Sequence, residues 1–203
     1  MLAIINIISM LSKIIRYSLL FLLAGTLMAY DMPKGWIAGG SYHYQYDYVM
    51  GVVKKHGQNV ATIRSVQNEV GGYGSMVQRL VSDNYKGKRA RLTGLLKVRN
   101  VDQWAGLLMR IECKTIDPVT GNEKRKVISR DNMYNRFVHG TAGYTKCEIV
   151  LDVPDTASDI EFGARLTGPG QIWFDQLKFE VVGKEVPVTS SDLKEPTNLE
   201  FEK

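Results

Sequence analysis

Three histidines and two cysteines are all that this chain of 203 residues contains, and the scarcity excludes a good deal of chemistry. His43, His56 and His139 lie far apart, so no H-E-x-x-H pair exists to hold zinc. No G-x-S-x-G elbow and no phosphate-cradling glycine loop occurs either, so no catalytic residue and no cofactor is assigned. Uninterrupted apolar runs of roughly 20 residues, the length that spans a bilayer comfortably, are missing. So are repeats, low-complexity tracts and long segments of helical period. What is left is a chain of short, punctuated runs.

The N-terminus stands apart. Lys13 and Arg16 precede an apolar run from Tyr17 to Ala29, after which the chain turns polar. This is the build of a secretory signal's n-region and h-region. The apolar residues before Lys13 are foreign to that pattern, and a start at Met10 would give an ordinary n-region. Cleavage is expected after Ala29, although Leu27 is large for the minus-three position; an uncleaved anchor is the alternative. No Cys follows the run to carry a lipid. The expected organisation is a signal peptide at 1–29, one domain at 30–182 and a flexible polar tail at 183–203, with the protein periplasmic or secreted and its signal touching membrane only during export. Removing residues 1–29 brings the formal charge from +5 to +3. With export and so modest a charge, the basic runs at Lys86–Arg91 and Lys124–Lys126 read as solvated turn and strand faces, and no nucleic-acid partner is expected.

From Trp36 to Val182 apolar residues alternate with period two between Gly, Asn and Asp punctuation, the pattern of a β-sandwich or barrel. The clearest strands are 59–66, 74–81, 88–98, 104–114, 144–153, 159–166 and 172–182. Parity places Ala105, Leu107, Met109, Ile111 and Cys113 on a core face, and Trp104, Gly106, Leu108, Arg110 and Glu112 on the other. Likewise Thr145, Cys147, Ile149, Leu151 and Val153 face inward, with Tyr144, Lys146, Glu148, Val150 and Asp152 on a wet outer face. Ile160, Phe162, Ala164 and Leu166 leave Arg165 on the opposite side, where it joins Arg110. Tyr42, Tyr44, Tyr46 and Tyr48 are read as one face of an early edge strand, or as a contact surface. Cys113 and Cys147 both fall on apolar parity, as a disulfide or as two buried thiols.

W-A-G-L-L-M-R (Trp104–Arg110), R-D-N-M-Y-N-R (Arg130–Arg136), H-G-T-A-G-Y (His139–Tyr144), L-D-V-P (Leu151–Pro154) and G-P-G-Q-I-W-F-D (Gly168–Asp175) occur in that order. Together they resemble a bacterial jelly-roll domain of the galactose-binding-like, carbohydrate-binding-module type. Such domains occur alone or attached to larger bacterial proteins, some of them named as transcriptional regulators. The resemblance runs from about Pro33 to Val182 and implies an all-β, two-sheet antiparallel jelly-roll sandwich. By analogy it implies an exported, non-catalytic module with a glycan as ligand. The alternative is a structural or protein-interaction domain that contacts an envelope protein and takes no small molecule.

Trp104 is the stacking candidate, with Tyr134 and Tyr73 as helpers, since an indole face suits the C–H face of a sugar. Arg110, Asp131, Asn132, Arg136 and Arg165 complete the ligand set, Arg110 being expected to pair with Asp131. Their other reading is structural, as ties between a loop and the sheet. Asp175 lies where related jelly rolls hold calcium, but one carboxylate, with Asp47 and Glu69 as unconvincing partners, makes no site, and no metal is assigned.

Overall fold

The computed structural model describes residues 30–55, 57–190 and 199. Within them lie strands β1 (Trp36–Gly40), β2 (Tyr48–Lys55), β3 (Gln58–Ser65), β4 (Tyr73–Val81), β5 (Arg89–Ile116), β6 (Glu123–Asp131), β7 (Val138–Asp152), β8 (Asp159–Thr167) and β9 (Gln171–Val182), and one helical turn, α1 (Tyr44–Asp47). The signal-peptide expectation falls on residues outside the described ones.

β5 organises the molecule. Its first part pairs with β9 as far as Arg99 and with β7 as far as Ala105; its second part pairs with β8 from Trp104 and with β6 from Met109. Two antiparallel sheets result: β1-β4-β8-β5-β6 and β2-β3-β9-β5-β7. The strand expectation treated 88–98 and 104–114 as separate runs, and the core parity explains why. Ala90, Leu92, Leu96 and Val98 are buried at even positions, whereas Ala105, Leu107, Met109 and Ile111 are buried at odd ones. The pairing register slips three times between Leu96 and Ala105, and Asn100 takes a left-handed backbone (φ 51°). A slip of one residue exchanges the faces of a strand, so β5 turns a corner and still points its apolar side into the same core.

Between the sheets, Phe162 of β8 stacks on Phe179 of β9 at 4.8 Å, and Trp36 of β1 meets Phe174 of β9 at 6.0 Å. Rings from opposite sheets therefore close one continuous core. Truncating a side chain as deeply buried as Phe174 costs about 3–5 kcal/mol.

Some local expectations are corrected. The tyrosine run is not one strand: Tyr44 and Tyr46 lie in α1 and Tyr48 opens β2, so its rings scatter. Tyr42 and Tyr46 stand in solvent, while Tyr48 is buried, its hydroxyl donating to the carbonyls of Gly72 and Gly168 and its pKa pushed up to about 12 by burial. Cys113 and Cys147 are free thiols on different sheets, Cys147 buried and Cys113 partly exposed. Val150, placed on the wet face of β7, is fully buried. The reason is in the C-terminal segment. Arg89 donates to the carbonyls of Lys184 and Val186, and Thr189 exchanges hydrogen bonds with the backbone of Val150 (2.7 and 2.9 Å). Residues 183–190, read from sequence as the start of a flexible tail, thus lie docked over β7.

A charged groove on the first sheet

The outward face of the first sheet carries a groove of about 400 Å³, lined from β1, β4, β8, β5 and β6. Strand pairing builds its floor. Glu161 on β8 lies directly opposite Arg79 on β4 and Arg110 on β5. Its two oxygens meet them at 2.7 Å (Arg79) and 2.9 Å (Arg110). Glu112, nearly buried, takes the other side of Arg110 at 3.1 Å and lies 3.8 Å from Arg79. Burial works to lower the Arg79 pKa, but the hydrogen bond and charge of Glu161 outweigh it and hold the guanidinium more firmly protonated. A ladder of alternating sign therefore crosses three strands.

One wall is the turn after β6. Asp131 Oδ1 accepts the Met133 N–H at 2.8 Å, and Asn132 Oδ1 accepts the Tyr134 N–H at 3.2 Å. Met133, left-handed at φ 59°, then sits on Gly106, where an added Cβ would come within 3.2 Å of both Met133 Cβ and the Asn132 carbonyl. Glycine at 106 is what lets this turn lie flat on the sheet.

At the end near Tyr73 the groove holds Arg165, and its surroundings differ from the ladder. Its guanidinium lies 3.6 Å from the Tyr73 ring centre and 4.6 Å from that of Trp104, and its Nε donates to Thr167 at 3.1 Å. No carboxylate pairs with it among the described residues. Burial shifts its pKa downward, consistent with a cation held by rings rather than by an acid.

Of the residues nominated from sequence, Arg110, Asp131, Asn132 and Arg165 line this groove. Arg165 and Arg110 share one face, as parity placed them, four rungs apart in the β5–β8 pairing. Trp104 is half-buried beside it, one face occupied by Arg165 and Tyr134 edge-on at 6.0 Å, so it braces Arg165 rather than standing as an open platform. The expected Arg110–Asp131 pair does not form, because Glu161 lies directly across the strand and reaches Arg110 first. Asp131 pairs instead with Arg136 at 2.6 Å. Arg136 also donates to the carbonyls of Glu148 and Thr189, outside the groove lining. Arg79 and Glu161 were not nominated. Their signal was a charge on the non-core parity of each strand, Glu161 sharing that parity with Arg165 on β8. Asp175 accepts its neighbour Gln176's N–H at 2.7 Å, and no three His, Cys, Asp or Glu side chains gather among the described residues.

Strand pairing and groove together define an antiparallel two-sheet sandwich with a side-chain-lined cleft across one sheet, the class to which the sequence motifs pointed. The chain is 36% identical over 178 residues to a Bacillus subtilis protein named "Uncharacterized HTH-type transcriptional regulator YbfP"; the match takes in 83% of this chain. The chain spans 57% of that relative's length. Among solved structures it is similar to a xylan-binding domain of carbohydrate-binding module type 22 (TM-score 0.47, 12% identity, 76% of this chain and 94% of the other). It is also similar to a galactotriose-bound type 61 module (TM-score 0.42, 11% identity, 74% and 91%). No protein-family model matches. The sandwich and its groove are established by their own pairing and distances.

Proposed function

We propose that this domain is a non-catalytic binding module that takes a carbohydrate in the groove of the first sheet. The observation that carries the reading is Arg165, a guanidinium lining the groove, held by Tyr73 and Trp104 and without an acidic partner among the described residues. Such a group has donors to give to hydroxyl or carboxylate oxygens of a sugar, and Tyr73 supplies an apolar edge beside it. Asn132 offers its amide group from the opposite wall, while the Asp131 carboxylate beside it is engaged by Met133, Arg136 and Thr189. Names of the similar solved structures, which speak of xylan and galactotriose, are in keeping with a glycan.

The test is binding of the purified protein to a broad panel of immobilised glycans, with Arg165→Met and Trp104→Ala alongside. A coherent set of bound sugars, weakened at least about tenfold in both folded variants, supports the module. Absence of binding by the parent protein, or binding indifferent to both changes, overturns it and leaves protein contact as the function.

The apolar run at 17–29 supports export to the periplasm or medium. N-terminal sequencing of the extracytoplasmic protein, beginning at Tyr30, is the expected result. A second reading draws on the 36% identity to a protein named a regulator: the same groove would then serve as the sensing site of a longer protein. Recovery of the protein only from the cytoplasm would favour that reading over export.

A further inference from the structure

Arg89, Arg91, Lys97 and Arg99 project from one outward face of β5, alternating with the buried Ala90, Leu92, Leu96 and Val98. The first two are neutralised: Arg89 meets Asp152 at 2.9 Å and Arg91 meets Glu180 at 2.6 Å. Lys97 and Arg99 have no carboxylate within ion-pair distance among the described residues. They gather instead on Trp173 of β9, directly opposite Lys97 in the pairing. Lys97 Nζ lies 5.7 Å, the Arg99 guanidinium 5.2 Å and Lys55 Nζ of β2 5.0 Å from the indole centre. Crowding by Lys97 lowers the pKa of Lys55, so these charges stand close enough to feel one another.

The array is held from beneath. Arg99 donates to Gln171 at 2.6 Å, Gln171 donates to Thr62 at 3.1 Å, and Thr62 donates to the Ile172 carbonyl at 2.6 Å. Gln171 and Thr62 are buried, so a polar chain running into the sheet orients the guanidinium. Asp175 lines the adjoining hollow and makes no ion pair with either lysine. Three cations collected on one ring, one of them fixed by buried partners, repel each other unless an anion of more than one charge joins them.

We propose that this face around Trp173 is an anion site that takes a phosphate group, independent of the groove on the first sheet. Inorganic phosphate carries between one and two negative charges near neutral pH and offers four oxygens, enough for one forked guanidinium and two ammonium groups; a carboxylate brings one charge and two oxygens. The group could arrive as a free phosphate or within a phosphate polymer.

Calorimetric titration of the full chain with inorganic phosphate, with a short linear polyphosphate and with acetate, at constant ionic strength, tests this. Saturable phosphate binding, at least about tenfold tighter than acetate, is expected, and Lys97→Met with Arg99→Gln should weaken it tenfold or more. Lys126→Gln, a solvent-facing change of equal sign on β6, should leave it unaltered. Tighter polyphosphate binding at the same site identifies a polymer as the natural source; equal binding per phosphate group identifies the free anion. Acetate competing as well as phosphate overturns the proposal. So does a double variant that binds like the parent, or an equal loss in Lys126→Gln. Should the double variant lose its far-ultraviolet dichroism, Lys97→Met alone reads the same site.

Discussion

Replacing Asp131 by Ala should cost about 3–4 kcal/mol of stability, because that carboxylate closes the clasp between the β6 turn, β7 and the C-terminal segment. It accepts from the Met133 N–H at 2.8 Å, Arg136 Nη2 at 2.6 Å and the Thr189 hydroxyl at 2.6 Å, with only 4% of its side chain exposed. Hydrogen bonds involving a charged group contribute about 1.5–3 kcal/mol each, and a buried N–H left without an acceptor costs about 1–3 kcal/mol. Arg136 is 30% exposed and keeps the Glu148 carbonyl, so water recovers part of its loss; the sum is taken near the lower end for that reason. Thr189→Val, which removes the hydroxyl and leaves the volume, should cost about 1–2 kcal/mol. Urea denaturation read by fluorescence measures both, and the double variant should fall short of additivity by about 1 kcal/mol since the residues share a bond. An Asp131→Ala loss below 1 kcal/mol at unchanged m-value would refute the clasp. In that case Asp131 would be free to serve the groove.

Acidification should destabilise the fold as pH falls below about 4: Lys124 with backbone donors holds the Asp117 pKa at about 2, and hydrogen bonds from Arg89 and Ser158 hold those of Asp152 and Asp159 below the usual 3.8. A depressed carboxyl contributes above its unfolded pKa and loses that contribution on protonation, so Asp152→Asn should flatten a melting-temperature profile between pH 5 and 2. Gly163→Ala would put a Cβ 2.0 Å from the Met76 carbonyl oxygen, and since the obstacle is backbone of the next strand, a loss of about 3 kcal/mol in urea melts is expected. Cys147, its pKa raised to about 11 by burial, should resist iodoacetamide at pH 8 in the native protein and react in urea, as counted by mass spectrometry.

Period-two alternation was enough to find the strands that bury one face, and it failed where burial departs from that pattern. β6 is an edge strand whose first five residues are all exposed, so its sequence E-K-R-K-V carries no apolar period. β2 has no exposed position along Tyr48–Val53, which leaves no alternation to read. In the candidate site, parity correctly put Arg165 and Arg110 on one face, because both lie in regular stretches of β8 and β5. Pair partners were not legible. Arg110 has Asp131 twenty-one positions ahead and Glu161 fifty-one ahead, and only the register of β5 on β8 decides between them. Docking of residues 183–190 was hidden for the same reason: their composition is that of a free terminus, and what holds them are long-range partners, Arg89 on the Lys184 and Val186 carbonyls, Asp152 on Lys184, and Asp131 and Val150 on Thr189.

If the groove takes a carbohydrate as proposed, the ladder and the lone arginine would contribute differently to its recognition. Arg79, Glu161, Arg110 and Glu112 already balance one another's charge, so a ligand reaching that floor gains little from ion pairing and must compete with bonds of 2.7–2.9 Å, although Arg79 Nε, Arg110 Nε and one Glu112 oxygen are left without a hydrogen bond among the described residues. Such a paired floor discriminates chiefly by penalty: an apolar group laid over it buries polar atoms without replacing their solvent. Arg165 has no such prior engagement, and the rings that hold it keep its donors oriented at little further entropic cost. Affinity should therefore concentrate at the Tyr73–Arg165 end of the groove, while the ladder restricts what can lie beside it to hydroxyl-rich surfaces.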